Sequence, residues 1–334
     1  MRAGRIKIST REFNVVDTPI PHPGSGQVRI KVEAAGVCLS DVHLLDSTLS
    51  PGFLEGDEVT MGHEVAGVIE SLGLDVLDWK IGNRVIVCAG IRDAKGRIRT
   101  QGFDFDGGFA EFMIADVSTL VAIHDELSFE EACIIPDAVS TPWAAIKQTA
   151  KVESGESSMV YGLGGLGIHA VQLLKIIGSS PIIAVDPLPL ARERALMVGA
   201  DFALDPGDGE FNKKLRDATN GRGANVAFDF AGVSAVRSQA LPLLAEGGRL
   251  VIIGIAGEPI LIPNDMAFVY KRNQILGHYG SEVYHTQELV GLVKNGKLDL
   301  STSISSIFSL EEAGLALKQL ENKTDNPIRI ILKP

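Results

Sequence analysis

The chain has 334 residues, of which 45% are hydrophobic and 22% are charged. This length predicts about two domains with cores large enough to fold without disulfide bonds, and the composition excludes a disordered or collagen-like protein. The chain has 31 Lys and Arg residues and 42 Asp and Glu residues, which gives a net charge of −11, and it has no run of five or six like charges. Nucleic acid and anionic membrane surfaces are therefore not expected partners, because both bind clustered positive charge.

The cysteine content indicates a reducing compartment, and the N-terminal sequence gives no targeting signal. Cys38, Cys88 and Cys133 are few and odd in number, so no structural disulfide is predicted. We predict neither a signal peptide nor a membrane span, because no apolar stretch follows the first basic residues and no run of about 18 apolar residues occurs. A cytoplasmic protein is expected.

The first part of the chain, from about residue 29 to residue 123, contains short β-branched runs separated by glycine and turn residues. Four of these runs are predicted strands: 28–33, 65–72, 84–88 and 109–115. Such spacing is typical of a largely β domain with antiparallel strands and long loops.

The pattern changes near residue 140, where apolar runs begin to alternate with segments of helical period. The predicted strands are 158–161, 182–186, 202–204, 226–230, 249–255 and 275–279. The predicted helices between them are 168–177, 190–198 and 211–218, with apolar residues at i, i+3, i+4 and i+7. The alternation indicates a doubly wound parallel sheet covered on both faces, and hence an α/β fold class.

The tail contains two helical stretches, 287–295 and 310–321, and a closing strand, 328–332. It is too short for a third domain, so we expect it to return and complete the first one. The predicted domains are therefore 1–138 together with 279–334, and 139–278.

A glycine-rich segment follows the first strand of the predicted parallel sheet. Gly162, Gly164 and Gly167 form the pattern Gly-x-Gly-x-x-Gly at the start of a helix. The first glycine permits a tight turn, the second lets the backbone approach a pyrophosphate, and the third lets the helix pack on the strand. The helix N-terminus also offers free N–H groups to phosphates. The segment predicts a dinucleotide site, with a glycine-rich structural turn as the alternative.

An aspartate ends the next predicted strand. Asp186 lies 19 residues after Gly167, where a carboxylate can accept hydrogen bonds from both hydroxyls of the adenosine ribose. A 2′-phosphate would meet this negative charge, so NAD is the predicted cofactor. Arg192, one helical turn further on, keeps NADP open and is itself a candidate contact. The remaining cofactor-binding candidates are Thr141, Gly165, Leu166 and Ile253.

Two short segments of the β domain concentrate reactive side chains: Cys38-Leu-Ser40-Asp41-Val-His43 and Gly62-His63-Glu64. A thiolate, an imidazole and a carboxylate make a plausible zinc set, and a catalytic zinc site keeps three protein ligands and an open position. The spacing does not show whether Cys38 and His63 meet. Each could instead be an ordinary core or hydrogen-bonded residue.

Together with further motifs, these segments resemble the zinc-dependent alcohol dehydrogenases of the medium-chain dehydrogenase/reductase superfamily, especially bacterial secondary-alcohol dehydrogenases. The matching segments are Ala35-Gly-Val-Cys38-Leu-Ser40-Asp41-Val-His43, Gly62-His63-Glu64-Val-Ala-Gly67, Trp79-Lys-Ile-Gly-Asn-Arg-Val85, Gly107-Gly108-Phe-Ala-Glu111, Asp137-Ala-Val-Ser-Thr141-Pro-Trp143 and Gly162-Leu-Gly-Gly-Leu-Gly167. The match covers essentially the whole chain. It implies a GroES-like catalytic domain and a Rossmann cofactor domain, with the active site in the cleft.

The resemblance implies one catalytic zinc ion. Cys38 and His63 are ligands by this resemblance, and Asp137 occupies the position of the third ligand, where many members have cysteine and some secondary-alcohol dehydrogenases have aspartate. Glu64 would be an occasional fourth ligand, and Asp41 would orient the imidazole of His63.

A structural zinc ion is not expected. The region 84–111 contains Cys88 but lacks the four closely spaced cysteines that hold a second zinc in many family members. Segment 89–106 takes the place of that lobe, and we expect it to form a surface loop or an interface element.

The resemblance also implies the activity: hydride transfer between a secondary alcohol and NAD, or reduction of the ketone with NADH. Ser40 would bond the substrate oxygen and pass its proton through the cofactor ribose to His43. The alternatives are a turn residue and a surface histidine. By position, Trp143, Phe53 and Leu49 are candidates for the pocket wall.

Other functions stay open. The third ligand does not determine the substrate, so a polyol or amino-alcohol dehydrogenase is the first alternative. A zinc-free quinone or enoyl reductase would leave Cys38, His63 and Asp137 without a purpose. A catalytically idle NAD-binding protein is the alternative from another class. The expected partners are a small-molecule alcohol or ketone and further copies of the chain, since pairing of cofactor-domain sheets in the family predicts a homo-dimer or homo-tetramer.

Overall fold

The computed structural model describes residues 1–93, 95–255 and 257–334. These residues form two compact units, Met1–Ser140 with Ser281–Pro334, and Thr141–Gly280. The tail thus belongs to the same unit as the first part of the chain. Within the described ranges, no helix is long and apolar enough to cross a membrane.

The strands, in chain order, are β1 (Arg2–Lys7), β2 (Glu12–Asp17), β3 (Gln27–Val37), β4 (Glu58–Thr60), β5 (Glu64–Leu72), β6 (Arg84–Val87), β7 (Gly90–Arg92), β8 (Ile98–Thr100), β9 (Phe112–Asp116), β10 (Leu120–Ala122), β11 (Ser158–Tyr161), β12 (Ile182–Val185), β13 (Phe202–Leu204), β14 (Ala224–Asp229), β15 (Leu244–Ile252), β16 (Gln274–Gly277), β17 (Ile304–Ser309) and β18 (Arg329–Lys333).

The α-helices are α1 (Leu39–Leu45), α2 (Phe129–Cys133), α3 (Ser140–Ala144), α4 (Gly165–Ile177), α5 (Pro189–Met197), α6 (Phe211–Ala218), α7 (Ser234–Ala240), α8 (Asp265–Tyr270), α9 (Val283–Lys294) and α10 (Ala313–Glu321). Wider π-helical turns, Ile135–Val139 and Ala145–Ala150, precede and follow α3.

The first unit is built on a mixed sheet with the strand order β10-β6-β5-β3-β18-β17, in which β9 also pairs with β3. Along β3, buried Val28, Ile30 and Val32 alternate with more exposed residues, as expected for a strand with one face on a core. These side chains share one apolar cluster with residues of β5, β6, β18 and α10.

Strand β3 sets the position of the reactive segments. Near its end, Gly36 pairs with Glu64 of β5 on one side and with Ile331 of β18 on the other. The chain turns into α1 directly after β3. Cys38, His63 and Arg329 therefore lie at one end of the sheet, although they are far apart in sequence.

Segment 89–106 is a hairpin rather than an irregular loop. β7 and β8 pair antiparallel, with Gly90 opposite Thr100. Asp93 closes the turn, because its Oδ1 accepts the backbone N–H of Arg97 at 2.9 Å. Ala94 lies outside the described residues.

The second unit contains a parallel sheet with the order β13-β12-β11-β14-β15-β16. Its central strands include the buried runs Ser158–Tyr161 and Ile182–Val185, which is typical of strands covered on both faces. The order of the strands reverses beside β11, and open α/β sheets bind their ligands at such a point, outside the carboxyl ends of the strands.

Candidate metal centre and cofactor site

The junction between β3 and α1 positions the first candidate ligand. The backbone N–H of Cys38 donates to Oδ2 of Asp41 at 2.8 Å, so this aspartate caps the start of the helix. Both side chains are buried. Ser40, the second residue of α1, places its hydroxyl 3.0 Å from Cys38 Sγ and 3.4 Å from Nε2 of His63. Ser40 therefore lies directly against two of the predicted ligands.

Cys38, His63, Glu64 and Asp137 come together in this unit, and their potential ligand atoms all lie within 4.8 Å of one another. Oδ2 of Asp137 is 3.4 Å from Cys38 Sγ and 3.7 Å from Nε2 of His63. Zinc–ligand bonds of roughly 2.0 to 2.3 Å place the ligand atoms of a tetrahedral site about 3.5 Å apart. The observed separations fit an ion of this size.

Asp137 reaches the set from the π-helical turn that follows α2. Its side chain is 22% exposed, whereas that of His63 is 5% exposed. The ligand set is therefore buried at His63 and accessible to solvent at Asp137. A catalytic zinc site needs such access, because one coordination position must stay exchangeable.

The imidazole of His63 lies between a carboxylate and an aromatic ring. Oδ1 of Asp41 lies 3.4 Å from Nδ1, and the ring of Phe103 is tilted against the imidazole with the centroids 5.5 Å apart. Burial lowers the pKa of His63, but the nearby Asp41 carboxylate, together with Asp137 and Cys38, raises it well above its usual value. The surroundings therefore favour positive charge at this position.

Arg329, the first residue of β18, belongs to the site but was not predicted from the sequence. Its buried Nη2 lies 2.7 Å from Oε1 of Glu64, 3.5 Å from Oδ2 of Asp137 and 3.7 Å from Cys38 Sγ. The available signal was a single charge inside the otherwise apolar run 328–332. A buried arginine in such a strand needs a carboxylate partner.

Glu64 is fully buried, and a glycine makes room for it. A Cβ at Gly36 would lie 2.1 Å from Oε2 of Glu64. Burial raises the pKa of Glu64 to about 8, against the opposing guanidinium of Arg329. Oε2 itself has no hydrogen-bond partner among the described residues.

These residues fit a zinc ion. The set offers sulfur, nitrogen and oxygen donors, the combination found at catalytic zinc sites. The buried Glu64 Oε2 lacks a partner within the part of the chain that the structure describes, and such an orphaned atom requires an explanation. A divalent cation among these acidic groups would offset their buried negative charge.

In the second unit, the glycine-rich segment has the conformation that its pattern predicts. Gly162 has φ of +82°, and a Cβ there would lie 2.8 Å from the backbone nitrogen of Ala231. A Cβ at Gly167 would lie 1.8 Å from the carbonyl oxygen of Gly162, so the start of α4 packs directly on the turn. At Gly164 nothing lies within 4 Å, which leaves the space that a pyrophosphate would need.

Asp186 directly follows β12 and is tied to the glycine turn. Its Oδ2 accepts the N–H of Leu163 at 2.9 Å, and its Oδ1 accepts the N–H of Leu188 at 2.8 Å. Nη1 of Arg192 donates to the carbonyl oxygen of Asp186 at 2.7 Å and lies 3.2 Å from Oδ2 of Asp205. Arg192 therefore already has a carboxylate partner, which reduces its availability for a 2′-phosphate.

The other cofactor candidates occupy three places. Gly165 and Leu166 are the first residues of α4, where backbone N–H groups are free to bind anions. Ile253 follows β15 directly, as Asp186 follows β12, so both lie at the carboxyl end of the sheet. Thr141 is buried, and its carbonyl oxygen accepts a hydrogen bond from Nε2 of His278 at 3.0 Å.

Comparison with known proteins identifies the family of the chain. The family model "Alcohol dehydrogenase GroES-like domain" matches residues 24–125, and "Zinc-binding dehydrogenase" matches residues 165–295. An NAD-dependent alcohol dehydrogenase of Sulfurisphaera tokodaii is 30% identical, with 96% of this chain and 97% of the relative covered. The chain belongs to the zinc-type alcohol dehydrogenase family.

Two further proteins illustrate the range of this family. A sorbitol dehydrogenase of Bacillus subtilis is 27% identical to this dehydrogenase, with 98% of this chain and 95% of the relative covered. The crystal structure of the alcohol dehydrogenase from Aeropyrum pernix matches the dehydrogenase with a TM-score of 0.88 and 28% identity, covering 100% of both chains.

The predicted family and the predicted fold class, a GroES-like domain and a parallel-sheet cofactor domain, are confirmed. The dehydrogenase is an oxidoreductase of the zinc-binding alcohol and polyol dehydrogenase group. A nicotinamide cofactor and a small-molecule alcohol fit that family. Zinc fits both the family and the donor set described above.

Proposed function

We propose that this dehydrogenase transfers a hydride between a secondary alcohol and NAD, or reduces the corresponding ketone with NADH. The observation that carries the proposal is the convergence of Cys38, His63 and Asp137, with the hydroxyl of Ser40 against Cys38 and His63. The motifs around these residues resemble those of bacterial secondary-alcohol dehydrogenases, some of which also have aspartate at the third ligand position. Asp186 at the end of β12 supports NAD as the hydride acceptor.

Four residues would hold the zinc ion: Cys38, His63, Asp137 and, as an occasional ligand, Glu64. When bound, zinc supplies Lewis-acid polarisation of an alcohol or ketone oxygen, and the nicotinamide supplies the hydride chemistry. The chain itself handles the proton. The Ser40 hydroxyl holds it beside the ligand set, and His43, three residues further along α1, accepts it at the end of the relay. Asp41 keeps the imidazole of His63 in place, and Arg329 keeps Glu64 in place.

The test is an activity screen of the zinc-loaded protein with NAD and three substrate panels: secondary alcohols, polyols and amino alcohols. We expect NADH to form fastest with uncharged secondary alcohols. Turnover confined to polyols or amino alcohols would show that the substrate class is wrong while the family assignment stands.

A polyol dehydrogenase is the second candidate, and the 27% identity to a sorbitol dehydrogenase favours it. The same screen tests whether the protein is an amino-alcohol dehydrogenase. A catalytically idle NAD-binding protein would bind NAD, retain no zinc and oxidise none of the three panels.

One zinc ion per chain is expected. Among the described residues a single group of His, Cys, Asp and Glu side chains has metal-binding geometry, and the whole chain has three cysteines, too few for a four-cysteine structural site. Elemental analysis after metal-sparing purification checks this. Two zinc ions per chain, or none, would contradict the proposed site.

The protein should prefer NAD to NADP. Asp186→Gly should reduce the ratio of kcat/KM for NAD to that for NADP by about 10- to 100-fold, because NAD loses a hydrogen bond to a charged group and the 2′-phosphate of NADP is no longer repelled. Asp186→Ser combined with Pro187→Arg should reverse it. The measurement is kcat/KM with each cofactor, and Glu193→Gln on α5, which removes an exposed charge, is the control. Equal efficiency of the unmodified protein with both cofactors would refute the assignment.

We also propose a homo-dimer or homo-tetramer and a cytoplasmic location. The free edge of β16 in the second unit and the exposed Met266, Val269 and Tyr270 of α8 support association between copies.

A further inference from the structure

A buried ion pair lies at the carboxyl end of the parallel sheet in the second unit. Asp229, the last residue of β14, stands opposite the last residues of β11 and β15 in the strand register. Its Oδ2 accepts from Nε of Arg237 in α7 at 2.8 Å, and both side chains are buried. The pair therefore lies beside the point where the strand order reverses, at the end of the sheet where open α/β sheets bind their ligands.

Other polar atoms of the pair bond the backbone of two loops. Oδ1 of Asp229 accepts the N–H of Gly232, in the loop 230–233 after β14, at 2.9 Å. Nη2 of Arg237 donates to the carbonyl oxygen of Gly254, in the segment 253–255 after β15, at 2.7 Å. The ion pair thus connects the two loops through side chains, beyond the point where strand pairing ends.

The connected loops pack against the glycine turn that follows β11. A Cβ at Gly254 would lie 2.2 Å from the backbone nitrogen of Gly232, so the loops after β14 and β15 touch backbone to backbone. The loop after β14 meets the glycine turn in the same way, because a Cβ at Gly162 would lie 2.8 Å from the backbone nitrogen of Ala231. A shift of either loop would therefore reach the turn that is predicted to bind the pyrophosphate.

Packing alone gives no reason for a buried ion pair at this position. Both charges lose their hydration, and apolar residues of similar volume often stabilise a protein interior equally well or better. Apolar residues could not, however, bond the N–H of Gly232 and the carbonyl oxygen of Gly254. These charge-assisted hydrogen bonds are directional, so they determine where the two loops lie.

We propose that Arg237 is a positioning residue for the dinucleotide site. Paired with Asp229, it holds the loops after β14 and β15 against the glycine turn, so that the three loops keep one arrangement before the cofactor binds. The inference rests on the proposed NAD-dependent function and deepens it, because it assigns the order of the site to a residue outside the glycine pattern. Loops that are already ordered lose less conformational freedom on binding, which strengthens the binding.

The test measures the Kd for NADH by fluorescence titration of zinc-loaded wild type and variants, together with the unfolding midpoint of each. Removing Arg237 alone would leave a buried carboxylate without a partner, so the first variant is double: Asp229→Leu with Arg237→Met. It should fold and keep its zinc. Its Kd should rise by about 5- to 50-fold, because the loops must then be ordered during binding.

A conservative and a matched variant separate positioning from general destabilisation. Arg237→Lys keeps a charge for Asp229 but not the planar fork that bonds two groups at once, so its Kd should lie between the other two. Arg249→Met is the control. Arg249 forms an ion pair with Glu156 at 2.6 Å and lies opposite the first residue of β16, at the amino end of the same sheet, so its loss should leave the Kd unchanged.

A wild-type Kd in the folded double variant would overturn the inference. An equal rise of the Kd in Arg249→Met would also overturn it, since the effect would then be general destabilisation. If the double variant does not fold, Arg237→Lys decides: a raised Kd supports the inference and an unchanged Kd refutes it. Failure of the proposed function gives a different result, because wild type itself would then bind neither NADH nor NADPH.

Discussion

Replacing Ser40 by alanine should lower kcat by about 10²- to 10⁴-fold while zinc and NAD remain bound, since general acid–base groups contribute on this scale. The hydroxyl lies 3.0 Å from Cys38 Sγ and 3.4 Å from Nε2 of His63, so it is placed at the ligand set without being a ligand of the proposed site. The measurement is steady-state oxidation of a secondary alcohol, with zinc content and NAD affinity determined on the same preparation.

Two further variants sharpen this result. Ser40→Thr keeps a hydroxyl and should retain much of the activity. His43→Gln, at the far end of the relay, should lose less than Ser40→Ala because water can take the proton there, and added buffer base should partly restore it. If Ser40→Ala turns over at the parental rate, with a deuterium isotope effect showing that hydride transfer limits the rate, the relay is wrong and Ser40 is a turn residue.

Asp137→Ala should lose zinc. Removal of one of three principal ligands should weaken metal retention by more than about 100-fold, because changes to groups that merely support a ligand already cost about 10- to 100-fold. The variant is dialysed against a chelator and its zinc is measured by elemental analysis, and activity should fall in parallel.

Asp78→Ala, which removes an exposed aspartate of the same unit, is the matched control and should keep its zinc. Full zinc occupancy and full activity in Asp137→Ala would show instead that another residue is the third ligand, and Glu64 is the first candidate. That residue is already within the set, with a buried oxygen that has no hydrogen-bond partner among the described residues.

The fold was predictable where local pattern and tertiary structure agree. The run 158–161 is a strand with those bounds, because a strand buried on both faces needs a nearly continuous apolar sequence. The run 202–204 also has the predicted bounds, although it is an edge strand in which Phe202 is exposed. β15 begins at Leu244 rather than at the predicted residue 249, since it continues through Gly247 and Gly248, which normally interrupt a strand. β17 escaped prediction because serines dilute its apolar pattern.

The candidate site was predictable where its residues stand in motifs. Cys38, His63 and Asp137 each belong to a recognisable segment, and the structure brings them together. Arg329 does not belong to such a segment, because its contact with Glu64 depends on the register between β18 and β3 rather than on any local pattern. The cation–π contact between Arg97 and Phe53 was not predicted for the same reason, because a contact between a loop and a hairpin produces no periodic pattern in a sequence.

The place of β18 in the central sheet has a consequence for how the protein is made. Arg329 is translated 265 residues after Glu64, its buried ion-pair partner. Chains emerge at roughly 5 to 20 residues per second, and the whole of Thr141–Gly280 is synthesised within that interval. Until β18 is made, Glu64 lacks the guanidinium that pairs with it, and the unit Thr141–Gly280 is completed first. The buried ion pair, and with it the central sheet of the first unit, is therefore completed only when β18 has docked on β3.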